Sequence, residues 1–315
     1  MGIIHKRFIA SMVRQEEQPY FVYFRLENCP GLQAEPYSFK SDKNILNGFF
    51  YHYDKYDAST IVIFSHGIGG GHSSYLKEIN ELAKMGYLVL AYDNTGCVSS
   101  EGASICGLSQ SVKDLDFAIK SLKEKENFKD KKIFVVGHSW GGFAASNINN
   151  FEHVDKVVAI SPFISLSAEY HSLFKGLLGI FVPSIIKEEL KAVGEWAKSS
   201  ALNALNKSNV SALIVHSMDD KTVSYKKNTG VLQRKIKNPM VQFYIVDGYG
   251  HHPQYTKEAS DYFNEVFLGF DKGVMDKSLE SLESKYAYFK DKDFNAMTIQ
   301  NPTTWSVIEK YLKQD

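Results

Sequence analysis

An α/β fold with a mostly parallel sheet covered by helices is what this 315-residue sequence predicts, on three observations. Short apolar runs recur through the middle of the chain, amphipathic helical patterns separate them, and Gly-, Ser-, Asp- and His-bearing loops fall at the ends of the runs.

The elements follow in order. Glu35–Lys40 and Ile45–Tyr53 read as an antiparallel hairpin that starts the sheet. The runs Ile61–Ser65, Tyr87–Asp93, Lys132–Gly137, Val154–Ile160, Ala212–Ser217 and Met240–Val246 are rich in Val, Ile and Phe with little polar alternation. Strands buried on both faces have that composition. Ser73–Met85 reads as a helix that stops at Gly86, a residue suited to the left-handed position beyond a helix end. Leu108–Lys125 sets Val112, Leu115, Ala118, Ile119 and Leu122 on one stripe. The stretch 161–209 separates two strands by far more than the usual connection of about 2–6 residues. It carries helical apolar spacing at Leu173, Leu177, Leu178 and Phe181 and ends in an amphipathic stretch through Trp196 and Leu205. We read it as a helical cap inserted into a core made of 1–160 and 210–315. The tail after Phe270 predicts two helices, Met275–Lys290 and Thr303–Lys313, packed on the outside of that core.

Composition narrows the function. Lys plus Arg and Asp plus Glu both number 36, so the net charge is +0 and no basic face for nucleic acid is implied. Cys29, Cys97 and Cys106 are odd in number and lack CxxC spacing, the usage of a reducing compartment. Met1–Ala10 is interrupted by His5, Lys6 and Arg7, which argues against a signal peptide, and Lys6 stands where myristoylation of Gly2 needs Ser or Thr. Leu173–Ile186, the longest apolar stretch, contains Lys175 and Pro183 and falls short of the roughly 18 residues of a spanning helix. A cytoplasmic protein without stable membrane insertion is expected; a homodimer is left open.

The chemistry concentrates in four loops. Gly137-His138-Ser139-Trp140-Gly141 fits G-x-S-x-G, follows a strand and opens a helix, the context a nucleophile elbow requires. Ser139 is the candidate nucleophile, placed beside a helix N-terminus that favours developing negative charge. His66-Gly67-Ile68-Gly69-Gly70-Gly71 follows Ile61–Ser65 and offers backbone N–H groups. The oxyanion hole is assigned to the N–H groups of Ile68 and Trp140, with Gly69 as the alternative to Ile68. His66 reads as a hydrogen-bonding residue of the loop. A phosphate-cradling loop is disfavoured because no Lys-Ser/Thr ending follows. After the last strand comes Gly248-Tyr249-Gly250-His251-His252. His251 is the preferred base and His252 the fallback. An acid must orient that imidazole. Asp220 is preferred to Asp219, because Asp-x-x-Val lets Val223 anchor the loop, and Asp247 is a distant third. The order Ser139, Asp220, His251 matches neither the chymotrypsin nor the subtilisin arrangement.

With these motifs in hand, the stretch from about Asn47 to Pro253 resembles the α/β-hydrolase superfamily, particularly its serine-aminopeptidase-like and monoacylglycerol-lipase-like branch. Asp93-Asn94-Thr95-Gly96-Cys97-Val98-Ser99-Ser100-Glu101-Gly102 is similar to that family's Asp-x-Arg-Gly-x-Gly-x-Ser-x-Gly loop, with Thr95 in place of the Arg and Val98 in place of the second Gly. The resemblance implies an α/β-hydrolase fold with eight strands, a cap after the sixth, and no cofactor. The expected reaction is cleavage of a small acyl ester through an acyl-enzyme, with Phe174, Leu178 and Phe181 of the cap as tentative acyl contacts. Glu188, Glu189 and Glu195 keep an aminopeptidase or amidase open, and a thioesterase is a further alternative. A non-catalytic small-molecule sensor is the rival from another class. His251-His252 without further His, Cys or Asp spacing does not read as a metal site.

Overall fold

The computed structural model describes residues 12–314 apart from 175 and 208, so Met1–Ala10, Lys175 and the side chain of Leu177 lie outside the described residues. The strands are β1 (Gln33–Ser41), β2 (Asn44–His52), β3 (Asp57–Ser65), β4 (Tyr87–Tyr92), β5 (Lys132–His138), β6 (Lys156–Ile160), β7 (Ala212–Ser217) and β8 (Val241–Val246). They form one eight-stranded sheet in the order β1-β2-β4-β3-β5-β6-β7-β8. β2 pairs antiparallel with β1 and β4, and the remaining pairs are parallel. The six apolar runs all became strands, the first five buried on both faces and the last, β8, lying half-buried at the sheet edge. Ile61 and Ile63 point into one apolar cluster, Val62 and Phe64 into the other.

Helices α1 (Leu76–Lys84), α2 (Gln110–Lys123) and α3 (Trp140–Asn147) cover the sheet. Between β6 and β7 lie α4 (Leu166–Leu173), α5 (Val182–Val193) and α6 (Ala201–Leu205). The apolar run at the start of this insertion is no single helix. α4 ends at Leu173, a 3-10 turn spans Gly176–Phe181, and Pro183 sits in the first turn of α5, where its missing N–H costs nothing. Val182 and Ile185 of α5 are buried in the core.

After β7 come α7 (Thr229–Lys235), α8 (Lys257–Met275), α9 (Leu282–Phe289) and α10 (Pro302–Lys313). The tail departs from its sequence reading twice. The predicted helix Met275–Lys290 is broken: α8 ends at Met275, Lys277 adopts a φ of 66°, and the Ser281 side chain caps α9 by accepting from the Ser284 N–H. α8 itself was not anticipated, although Thr256 caps it and Ala259, Phe263, Val266, Phe267 and Phe270 follow at helical spacing. Nor is the tail merely external. Trp305, Ile308 and Leu312 of α10 are buried in the same cluster as Val62 and Phe64. Among the described residues no helix is long and apolar enough to cross a membrane.

The loop that departs from the family pattern at Thr95 and Val98 is held from outside. Arg14 donates to the carbonyls of Ser100 at 2.8 Å and Gly102 at 2.9 Å, and also to that of Val98. A guanidinium from the N-terminal segment thus binds a loop whose own Arg position is Thr. Val98 occupies a φ of 34°, a conformation glycine adopts freely, and its N–H is secured by the carbonyl of Gln15 at 2.8 Å.

Candidate active site

Strand order decides where the chemistry gathers. The sheet order reverses around β3, setting Ser65 of β3 opposite Gly137 of β5, and crevices at such reversals are where α/β sheets bind ligands. The loops after β3, β5, β7 and β8 all leave from this one edge.

After β5 the chain turns sharply into α3, with Ser139 at φ 56° and ψ −113°. The turn is tight enough that a Cβ on Gly141 would lie 1.8 Å from the Ser65 carbonyl oxygen, and one on Gly137 2.3 Å from that of Gly141. Both glycines are therefore required by close backbone approach. The Ser139 N–H donates to the Ile160 carbonyl at 2.8 Å, which pins the elbow to β6.

The structure brings the three preferred side chains into one row. His251 Nε2 lies 2.9 Å from Ser139 Oγ, and His251 Nδ1 lies 2.7 Å from Asp220 Oδ2. A carboxylate only accepts, so Nδ1 carries the proton and Nε2 is free to receive that of the serine. Asp220 Oδ1 accepts the N–H groups of Thr222 and Val223, each at 2.8 Å, which is the physical content of the Asp-x-x-Val spacing. Burial alone would raise the Asp220 pKa. Hydrogen bonds from His216 and His251, with their charge, outweigh it and hold the carboxyl well below the usual carboxylate range.

The alternatives have other positions. Asp219 accepts the N–H groups of Gly248 at 3.0 Å and Gly250 at 3.1 Å and the Ser217 hydroxyl, so it shapes the histidine loop from beneath. Asp247 is exposed. His252 is buried and stacked on Tyr255 with ring centroids 4.9 Å apart, and burial holds its imidazole neutral.

The loop after β3, where the sequence places the oxyanion hole, is organised by His66. Its Nδ1 is 2.7 Å from the Gly67 carbonyl oxygen and its Nε2 accepts the Asn94 N–H at 3.0 Å. Holding that carbonyl turns the trans Gly67–Ile68 peptide so that the Ile68 N–H faces away from the His66 ring. The Trp140 N–H lies in the first turn of α3, where no carbonyl of the same helix is available to it.

Several neighbours of the site escaped the sequence reading. His216 Nε2 is 3.1 Å from Asp220 Oδ2, and its Nδ1 is 2.7 Å from Thr229 Oγ1. The C-terminal tail clasps the segment after His251: Thr304 Oγ1 donates to the Pro253 carbonyl and the Asn301 N–H to that of Gln254, both at 2.8 Å. Glu169 of α4 is buried with Oε2 unpartnered, and burial pushes its carboxyl up to about 7 within electrostatic reach of His251 and Asp220. Of the three glutamates considered for amine binding, Glu189 is consumed by the Ser109 N–H and the Tyr170 hydroxyl, Glu188 pairs with Lys191, and Glu195 is exposed. Phe174 packs against the core, whereas Leu178 and Phe181 are exposed.

Glu78 of α1 is a second buried carboxyl near this edge. Burial raises it to about 7, and its Oε1 has no hydrogen-bond partner. A raised carboxyl makes the folded state hold a proton that the unfolded chain has released, so its stabilising contribution is complete below about pH 4.5 and lost as pH rises through about 7. Glu78→Gln is therefore expected to flatten the fall in melting temperature between pH 5 and 8, by the equivalent of about 1–3 kcal/mol. Thermal melts of both proteins across that range check it; parallel curves would contradict it.

Known proteins bear on this geometry. The pattern of the serine aminopeptidase S33 family matches residues 56–193, which includes the oxyanion loop and the elbow but stops before Asp220 and His251. The chain is 29% identical over 136 residues to a proline iminopeptidase of Saccharolobus solfataricus, covering 41% of this chain and 37% of that enzyme. It is 29% identical over 119 residues to the acylamino-acid-releasing enzyme of Rattus norvegicus, covering 34% of this chain and 16% of that one. The matches thus span well under half of these relatives' own lengths. Among solved structures, an esterase of Pyrococcus furiosus superposes with a TM-score of 0.57 at 21% identity, covering 85% of this chain and 98% of the esterase. Est1E of Butyrivibrio proteoclasticus, solved with ferulic acid bound, gives 0.55 at 18% identity, covering 74% and 98%. At these identities the likeness shows the fold.

Proposed function

We propose that this chain, which has the α/β-hydrolase fold, is a serine hydrolase that cleaves carboxylic esters through an acyl-enzyme. The observation that carries this is the hydrogen-bonded row Ser139–His251–Asp220, with His251 in the tautomer that can accept the serine proton. In this reading Ser139 Oγ attacks the ester carbonyl while His251 Nε2 takes its proton, and Asp220 stabilises the imidazolium. The oxyanion forms against the N–H groups of Ile68 and Trp140, each contributing about 3–4 kcal/mol to the transition state. His251 then protonates the departing alcohol, and water repeats the sequence on the acyl-enzyme. Short- to medium-chain or aryl acyl groups are the proposed substrates. The exposed apolar side chains of Leu178 and Phe181, and Phe174 packed on the core, support the insertion as the surface that covers such a group.

A fluorophosphonate probe tests the reading. The wild-type chain is expected to be labelled at Ser139, and Ser139→Ala to take no label while melting normally. Absence of label on the folded wild type would instead favour the ligand sensor. A series of p-nitrophenyl esters of graded chain length then defines the acyl group.

One observation favours a second reading, hydrolysis of an amide next to a free amine. Glu169 Oε2 has no partner, and an ammonium group placed beside it would favour the ionised carboxylate against the burial that raises it. Aminoacyl p-nitroanilides turned over faster than the esters, with Glu169→Gln raising KM for them alone, would establish it in place of the esterase.

A further inference from the structure

His138, between the first glycine of the elbow and its serine, has no part in the proton transfer proposed above, yet it reaches the histidine loop directly and the glycine-rich loop through Tyr75. Its Nε2 is 2.9 Å from the carbonyl oxygen of His251, and its Nδ1 is 3.0 Å from the Tyr75 hydroxyl. A carbonyl only accepts, so Nε2 carries the proton; Nδ1 is then a bare acceptor and the phenol donates to it. On its other side the phenol oxygen stands where a side chain on Gly67 would begin: a Cβ there would meet it at 2.2 Å. The bonds run one way, from the Tyr75 phenol through His138 to the His251 carbonyl, and the phenol oxygen is packed against Gly67. One end abuts the residue before Ile68, and the other is the backbone of the imidazole.

We propose that Tyr75 and His138 are positioning residues, a buried bridge that fixes the spacing between the oxyanion loop and the histidine that moves the proton. The proposal rests on the reading of Ser139, His251 and Asp220 as the reacting row.

The surroundings leave the bridge little slack. The His138 ring lies 4.8 Å from the His251 ring and 4.9 Å from that of His252, which is stacked in turn on Tyr255. Burial pushes the His138 imidazole down to about 3, so it stays neutral and keeps Nδ1 open to the phenol. A buried polar network with its donors and acceptors matched specifies one arrangement of the chain. The chemistry needs one arrangement, because negative charge grows on the substrate oxygen while positive charge grows on His251. A displacement of about 1 Å between the two costs on the order of a hundredfold in rate.

Steady-state hydrolysis of a p-nitrophenyl ester, with melting temperatures, tests this on the full chain. Tyr75→Phe keeps the ring and removes only the oxygen. It is expected to lower kcat about tenfold to a hundredfold, with KM changed by less than about threefold. His138→Gln keeps a donor near the Nε2 position but loses the acceptor for the phenol, so it should lower kcat to a similar degree. Adding Tyr75→Phe to His138→Gln should cost little more, since one link has already been cut. Independent, multiplying effects of the two changes would overturn the bridge, as would a Tyr75→Phe kcat within about twofold of wild type. Should Tyr75→Phe fail to fold, His138→Gln alone decides on the same kcat criterion. A folded wild type that takes no fluorophosphonate label overturns the reading of the triad and the bridge together. A labelled wild type beside a fully active Tyr75→Phe overturns the bridge alone.

Discussion

Asp220→Asn should hydrolyse p-nitrophenyl esters about 10⁴-fold more slowly than the wild type while remaining folded. The size of the effect follows from how the carboxylate is surrounded. Oδ1 accepts two backbone N–H groups, from Thr222 and Val223, and Oδ2 faces His251 Nδ1 and His216 Nε2. An asparagine has one acceptor oxygen. Two fixed backbone donors claim it, which leaves the amide nitrogen facing His251. That NH₂ donates, so His251 must accept at Nδ1 and carry its proton on Nε2, where it meets Ser139 Oγ. The base is then blocked, although no group has been displaced. Initial rates of ester hydrolysis and of fluorophosphonate labelling should fall together. Asp219→Asn is the matching control: its carboxylate shapes the histidine loop without reaching the imidazole, so a loss as large as that of Asp220→Asn would show the acid to be misassigned.

Gly141→Ala is expected to be the most damaging single change to the fold at this edge. Its Cβ would lie 1.8 Å from the Ser65 carbonyl oxygen and 2.8 Å from that of His66, both backbone atoms that cannot swing aside as a side chain would. Relief requires α3 to move away from β3, which carries Ser139 away from the oxyanion loop. We expect a destabilisation above about 3 kcal/mol, together with at least a hundredfold loss of ester hydrolysis in whatever protein folds. Gly86→Ala calibrates it. That glycine has φ 91° but open space around the Cβ position, so only backbone strain of about 1–2 kcal/mol is at stake. Chemical denaturation of both variants gives the comparison, and equal losses would mean that the close approach of Gly141 is not what holds the elbow.

The two variants also divide what was readable in the sequence from what was not. The elbow was legible because its requirement is local: a strand, a cramped turn and a helix are written in consecutive residues, and close backbone approach admits only glycine at 137 and 141. Five of the six apolar runs were legible for a related reason, since burial on both faces removes polar residues from a strand whatever its neighbours are. α8 and the break before α9 were missed although their capping residues, Thr256 and Ser281, stand in plain view. A cap carries little information until it is known which turn follows it.

By itself the sequence determined the parallel-sheet class, the serine at the elbow, and the loops from which an acid and a base would come. Motif spacing already preferred Asp220 to Asp219 and His251 to His252, and the tertiary structure sets those two side chains in a row with Ser139, because adjacent residues on one loop differ in the direction in which the folded backbone aims them. Tyr75, His138, His216, Glu169 and the tail residues Asn301 and Thr304 were invisible for the same physical reason. A hydrogen bond depends on separation in space, and those that tie this site together mostly join residues far apart in the chain, such as His138 with His251 and Thr304 with Pro253.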